Sequence, residues 1–342
     1  MRVDDLPIGR PGPAPTAASI AAGAAARRRR TIRWVVGLVI GVPLVVFVAW
    51  ALFDNPRLFA STLLNGLTLA ALYFLVASGF TLVFGLMRNV NLAHGSLYLF
   101  GAYVGWMVGE ASGSWVLAVI AGFASSALVG LLMQLLIFRW MQGQDLRQTL
   151  VTIGISIVLA DLMLWAWGAE IYTFDPPRWM FGTLSLPVVE KYATYRLLLL
   201  AGAILIGIAL WLFLNRTRVG MMIRAGVDDR AMLAASGVNV QLVFAVTFAI
   251  GAGMAGFAGV VGGTALSIAP GEDVRYLLAS LVVVIVGGMG SVTGAAIGAL
   301  LIGIAEQFGL AYAPTYGIVF TFVIMALALA FRPQGLLGRS AR

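Results

Sequence analysis

Residues 215–240 read NRTRVGMMIRAGVDDRAMLAASGVNV, between LLLLAGAILIGIALWLFL (197–214) and QLVFAVTFAIGAGMAGFAGVV (241–261). Each flanking run is close to the roughly 20 apolar residues a helix needs to cross a hydrocarbon layer. The stretch between them holds four arginines and two aspartates, so it belongs in water while its neighbours belong in lipid. The whole chain follows this rule. Its 342 residues are 61% hydrophobic and 11% charged, with a mean hydropathy of +0.97, which leaves too little polar surface for a soluble domain. The sequence therefore reads as an all-α, polytopic transmembrane helical bundle of about 8–10 spans, some of them short or re-entrant half-helices.

Candidate spans are 34–53, 62–87, 95–109, 115–138, 149–168, 194–214, 241–266, 275–289, 292–308 and 315–331. Ala49-Trp50-Ala51 resembles a signal-peptide cleavage site, but the long tail before the first run fits an uncleaved span better. Residues 1–33 read as a disordered, basic cytoplasmic tail. Residues 34–331 form the membrane domain, and 332–342 a cytoplasmic C-terminal tail. With the N-terminus inside and ten crossings, seventeen of the 22 basic residues fall inside. Five fall outside: Arg57, Arg178, Lys191, Arg196 and Arg275. The outer loops instead collect acids such as Glu190, Glu272 and Asp273. This is the positive-inside distribution, and it keeps both termini cytoplasmic even if 275–308 is one re-entrant unit.

The 215–240 stretch then faces the cytoplasm. RAMLAASGV mixes apolar and polar positions at helical spacing and stops at Gly237, a C-cap signal. A short amphipathic helix beneath the membrane follows. A bare connector needs only a few residues, so the length favours a docking surface.

Small residues recur four apart within spans, as at Ala255, Gly259 and Gly263, and at Gly294 and Gly298. That spacing lets helix backbones approach closely in lipid. FGLMRNVNLAHGSLYLFGAYVG (84–105) breaks a long apolar helix at a polar turn and restarts it. VGGMGSVTGAAIGALLIG (286–303) repeats the rhythm weakly, with Met87 and Met289 in matching places, which hints at an internal repeat around a pathway.

His94 reads first as a helix-start group bound to a backbone carbonyl, and Asn89, Asn91 and Ser96 as turn and capping groups. The competing reading lines a substrate path with Asn91, His94 and Ser96. Asp161 and Glu306 fall inside apolar runs, where a charge costs on the order of 3 kcal/mol. Each must find a partner, face water or take a proton. Carrying protons would make the chain an ion-coupled secondary transporter.

No cysteine, one histidine and one lysine exclude disulfides, thiolate chemistry and a histidine metal cluster. No catalytic residue, metal site or cofactor is expected. Lys191 follows Glu190 rather than a glycine, so no phosphate-binding P-loop is present. The net charge of +8 sits at the ends of apolar runs, which argues against a nucleic-acid partner.

Four stretches carry a resemblance. NGLTLAALYFLVASGFTLVFGLMRNVNLAHGSLYLFGAYVG (65–105), RAGVDDRAMLAASGVNVQLVFAVTFAIGAGMAGFAGVVGG (224–263), ASLVVVIVGGMGSVTGAAIGALLIGIAE (279–306) and RPQGLLGR (332–339) are similar to the LivH-type permease of branched-chain amino acid ABC transporters. The resemblance covers about residues 60–340, which makes 34–331 a permease domain in the inner membrane of a bacterial cell. It implies two cytoplasmic ATP-binding subunits, a second, LivM-like permease subunit and a periplasmic or lipoprotein substrate-binding protein. It also implies that Arg224, Gly226, Asp228, Asp229, Ala234, Ala235, Gly237 and Asn239 belong to the segment coupled to the ATPase. The residues themselves make Asn91, His94, Ser96 and Glu306 the candidates for the substrate pathway. Most members carry an acidic residue where Ser96 stands, and related permeases serve urea, short amides and other amino acids.

Overall fold

A computed structural model describes residues 42–43, 45–87, 91–141, 143–332 and 334–338. The proposed basic tail (1–33), Asn89 and the last four residues lie outside them. The chain divides into a unit ending at Phe59 and a larger one, Ala60–Arg342. In the first, a short apolar helix α1 (Val45–Asp54) leads to Asn55, whose Oδ1 accepts from the Leu58 amide at 3.0 Å and so caps the next helix.

The larger unit is helical almost throughout. Its elements are α2 (Pro56–Met87, beginning in the first unit), α3 (His94–Ser112), α4 (Trp115–Leu136), α5 (Asp145–Trp167), α6 (Thr194–Arg216), α7 (Arg218–Asp228), α8 (Arg230–Ala235), α9 (Val240–Ala265), α10 (Glu272–Gly287), α11 (Val292–Tyr312) and α12 (Gly317–Phe331). Among the described residues, α2, α4, α5, α6, α9 and α11 are long and apolar enough to cross a membrane. Of the stretches expected to be short, 95–109 and 292–308 become longer helices, α3 with 19 residues and α11 with 21, while 275–289 becomes the short α10. The short apolar helices are α10, with 16 residues, and α12, with 15. At 1.5 Å per residue these span about 22–24 Å, less than the roughly 30 Å of a hydrocarbon core. The fold is an all-α polytopic bundle. Its only sheet among the described residues is a two-residue hairpin, β1 (Thr183–Leu184) with β2 (Tyr192–Ala193).

The observed helices start and stop close to the apolar runs in the sequence, because the polar residues between runs also cap. Ser114 accepts from the Leu117 amide and opens α4 directly after Gly113, whose φ of +66° ends α3. Ser291 accepts from the Gly294 amide at 3.0 Å and opens α11.

Burial is uneven. α2 and α9 are largely buried, whereas α4, α5 and α6 present most of their surface outward. The interior is built from small residues. A Cβ added at Gly256 of α9 would strike the Gly122 carbonyl and the Ser126 side chain of α4, and one on Gly101 of α3 would strike the Gly256 backbone. Gly259 is equally tight against the Tyr98 carbonyl, and Gly298 against that of Val283. The four-residue spacing predicts such seams, and the structure places them between α3, α4 and α9 and between α10 and α11.

The last turn of α2 lies beside the break between α10 and α11: a Cβ on Gly85 would come within 3.0 Å of the Gly290 Cα. The tail closes this end. The amides of Leu336 and Leu337 donate to the last carbonyls of α10, those of Val286 and Gly287, both at 2.9 Å. Orphan groups at a helix end are thereby satisfied by the RPQGLLG segment.

Gly256→Val should lower the thermal unfolding midpoint and the monodisperse yield in detergent, because overpacking a tight seam costs about 1–3 kcal/mol. Gly154→Ala is the control, since nothing lies within 4 Å of a Cβ there. Its midpoint should stay level or rise, as read by size-exclusion after heating.

Candidate functional site

The polar turn before α3 does not sit at an end of the bundle. His94, fully buried, places Nε2 3.1 Å from the carbonyl of Val76, twenty residues along α2. Its ring meets Phe80 edge-on at 5.2 Å. Asn91 is buried and its Oδ1 accepts from the Ala93 amide at 3.1 Å. The α3 helix thus begins in mid-bundle.

The start of α10 meets it there. A Cβ on Gly95 would strike the Asp273 carbonyl. Ser96 Oγ lies 2.8 Å from Ser156 Oγ of α5 and donates to Asp273 Oδ2 at 3.4 Å. Two helix starts therefore converge at depth, an arrangement that transporters use to bind solutes between broken helices.

Next to this junction opens a cavity of about 440 Å³, within the roughly 300–1,000 Å³ of small-molecule sites. Leu69 and Leu72 of α2 form an apolar wall, and Arg196, Glu272, Arg275 and Gln307 bring polar groups from α6, α10 and α11. Leu72 stands one helical turn before Val76, so the cavity floor lies just above the His94 contact.

Glu306 is 8% exposed. Its Oε2 accepts from the Tyr73 hydroxyl at 2.8 Å, and its Oε1 lies 3.9 Å from the Arg275 guanidinium. Arg275 also pairs with Glu272 at 3.4 Å and lies 5.9 Å from the Tyr276 ring centroid. Tyr276 stacks on Tyr98 at 4.2 Å. The intramembrane carboxylate thus has partners, as its cost requires.

Asp161 is different. The packed face of α5 runs through Gln148, Thr152 and Met163, and Asp161 lies about half a turn round from Thr152. It is exposed, directed away from the rest of the unit. Buried Glu306 and exposed Asp161 thus have opposite surroundings, and among the described residues no hydrogen-bond chain joins them.

Of the residues singled out in the sequence for the pathway, Asn91, His94 and Ser96 lie beneath the cavity in helix-start contacts, and Glu306 lies behind its wall. Sequence reading missed Tyr73, Arg196, Glu272 and Arg275 as site residues. A signal existed: Arg196 and Arg275 are two of the few basic residues assigned to the outer side, and an exception to the positive-inside rule needs another reason to be there.

At the far end of the bundle, 215–240 forms two helices rather than one. Thr217 caps α7, accepting from the Gly220 amide at 3.0 Å. Asp229 caps α8, accepting from the Ala231 and Met232 amides at 2.8 and 3.0 Å. Gly237, with φ +81°, follows α8, and Asn239 caps α9 by accepting from the Leu242 amide at 3.2 Å. Ile223 and Leu233 anchor the pair in a cluster with Leu82, Leu210, Val243 and Phe244.

Arg224 Nη1 donates to Asn215 Oδ1 at 2.6 Å. Gly226 is buried, whereas Arg224, Asp228, Ala234 and Ala235 are exposed. A groove of about 480 Å³ is lined by Asp145, Asp228, Asp229 and Arg230. The earlier helix α7 escaped sequence reading because its apolar positions adjoin a span.

The family described as "Branched-chain amino acid transport system / permease component" matches residues 62–329. The chain is 33% identical over 295 residues to the high-affinity branched-chain amino acid transport system permease protein BraD of Pseudomonas aeruginosa, covering 81% of this chain and 95% of that one. It is 31% identical over 297 residues to the corresponding LivH protein of Escherichia coli, covering 82% and 96%. To the E. coli permease protein LivM of the same kind of system it is 26% identical over 320 residues, covering 86% and 73%. No solved structure matches the chain significantly.

Tyr73→Phe should destabilise the fold by about 1–3 kcal/mol, because Glu306 keeps its burial and loses a hydrogen bond. The double variant Tyr73→Phe/Glu306→Leu should lose less than the sum of the two single variants in a thermal double-mutant cycle.

Proposed function

The chain belongs to the branched-chain amino acid transport permease family, and on that premise we propose that it is the membrane-spanning subunit of an ABC importer for branched-chain amino acids. The observation that carries this reading is the α7–α8 pair: a rigid polar element, capped at each start and fixed by Ile223 and Leu233, at the end of the bundle away from the cavity. A lever of that kind transmits a partner's conformational change only if its contacts differ between two states. Arg224, Asp228, Ala234 and Ala235 offer the contacting face. Asp229, Gly237 and Asn239 hold the backbone in shape, and Gly226 permits packing behind it.

In this scheme ATP is hydrolysed by two cytoplasmic ATP-binding subunits, and a periplasmic or lipoprotein binding protein delivers the solute at the cavity end. The chain sits in a bacterial inner membrane with both termini cytoplasmic, in line with its arginine distribution. A second, LivM-like permease subunit completes the path. The outward face of α5 supports a partner within the membrane, because the Asp161 carboxylate there is costly against lipid and calls for cover.

Uptake in proteoliposomes holding all subunits should require ATP and persist when an uncoupler collapses the proton gradient; abolition by the uncoupler with ATP present would support ion coupling instead. Arg224→Glu and Asp228→Lys should each lower uptake at least tenfold while membrane insertion stays normal. Normal uptake in both would remove the coupling role. Asp161→Lys should reduce recovery of the second permease by affinity co-purification, with the chain's own yield unchanged.

A further inference from the structure

The cavity holds an arrangement of charge that neither tight packing nor topology explains. Arg196 lies on its wall, half-buried in the first turn of α6. Its guanidinium Nη1 donates to the neutral amide oxygen of Asn65 at 2.7 Å, and among the described residues no carboxylate pairs with it. A guanidinium is always charged, presents a planar fork of donors matched to a carboxylate, and loses stabilisation when partly withdrawn from water without a counter-ion.

On the same cavity, Glu272 belongs to a group with the opposite excess. Glu272 and Glu306 share one cation, Arg275, at 3.4 and 3.9 Å. Two carboxylates on one guanidinium leave a net negative charge. Leu69, Leu72 and Leu266 supply the apolar wall beside these two poles, with Thr68 and Gln307 as neutral hydrogen-bonding groups. An unneutralised cation, an over-supplied anion and an aliphatic wall are complementary to one kind of small molecule, a zwitterion with an apolar side chain.

We infer that this cavity is a permease-borne binding site for a free α-amino acid, in which Arg196 holds the carboxylate and Glu272 the ammonium. The inference rests on the importer reading and deepens it by locating the substrate and naming its readers. It also separates solutes: urea and short neutral amides would leave Arg196 without its anion, and a site built for a charged group rejects analogues that lack it. Asn65 is a positioning residue that fixes the guanidinium, and Glu306 with Tyr73 does the same for Arg275. The site lies beside the converging starts of α3 and α10, where Gly95 and Ser96 meet Asp273.

The test uses the full chain in detergent micelles, without a binding protein, and radiolabelled L-leucine in equilibrium dialysis. Wild type should bind. Arg196→Gln should weaken binding at least tenfold, and Arg196→Lys, which keeps the charge and loses the fork, should bind between the two. Leucinamide, which lacks the carboxylate, should compete at least tenfold more weakly than leucine against wild type and lose that disadvantage against Arg196→Gln. Absence of leucine binding to the wild type would overturn the site, as would unchanged binding in a monodisperse Arg196→Gln protein or equal competition by leucinamide.

Uptake by the complete transporter is read in parallel. ATP-driven uptake of leucine with no effect of Arg196→Gln on binding sinks the site and leaves the importer standing. Leucine binding that depends on Arg196, without ATP-driven uptake, sinks the importer and leaves the site. Loss of uptake in Arg196→Gln with leucine binding intact assigns Arg196 to docking the delivering protein and overturns the inference.

Discussion

Backbone-to-backbone contact along α9 is the constraint from which the rest of the structure follows. In lipid, apolar side chains gain little by leaving one hydrocarbon for another, so helices adhere through dispersion between closely fitted surfaces. Gly101, Gly122 and Gly256 allow α3, α4 and α9 to meet without side chains between them. Any Cβ at these positions would collide with backbone, so the seam fixes both distance and register. Held this way, α3 can start deep inside the bundle rather than at its edge.

That deep start creates the chemistry. A helix that starts in mid-bundle leaves polar backbone at its end, and burial demands partners for it. The turn from Asn91 to Ser96 supplies some from its own side chains, and the Thr152 hydroxyl of α5 accepts from the Leu92 amide at 3.1 Å. Beside it, the charged groups of α6, α10 and α11 surround a cavity instead of filling it. Packing explains why the walls are rigid. The imbalance of charge across them is the feature on which the proposed amino-acid site rests.

The end carrying α7 and α8 follows a different logic. These helices are amphipathic and short, anchored by a few apolar side chains and shaped by caps. Their position depends on Leu82, Leu210 and Phe244 of the long helices beneath, so the pair is seated on α2, α6 and α9 at once. The α2 and α9 helices also pack against each other at Gly79 and Gly251, on the way from this end to the junction under the cavity. The Arg230 guanidinium, 5.1 Å from the Phe244 ring centroid, adds a direct contact between the two regions.

The chain by itself settled the membrane character, the limits of most helices, the end of α2 at Met87 and the break at 288–291, because hydropathy and capping are local properties of adjacent residues. It also marked RAMLAASGV as a separate helix, through its glycine stop. It could not say which face of each span is buried. These helices are apolar on every side, so no stripe points inward; only packing showed that α5 turns Thr152 to α3 and Asp161 away. Nor could it assemble the cavity. Tyr73 and Glu306 lie 233 residues apart, and Asn65 and Arg196 lie 131 apart. Their meeting depends on how glycine seams set the helices against one another, a long-range property that no neighbouring residue records.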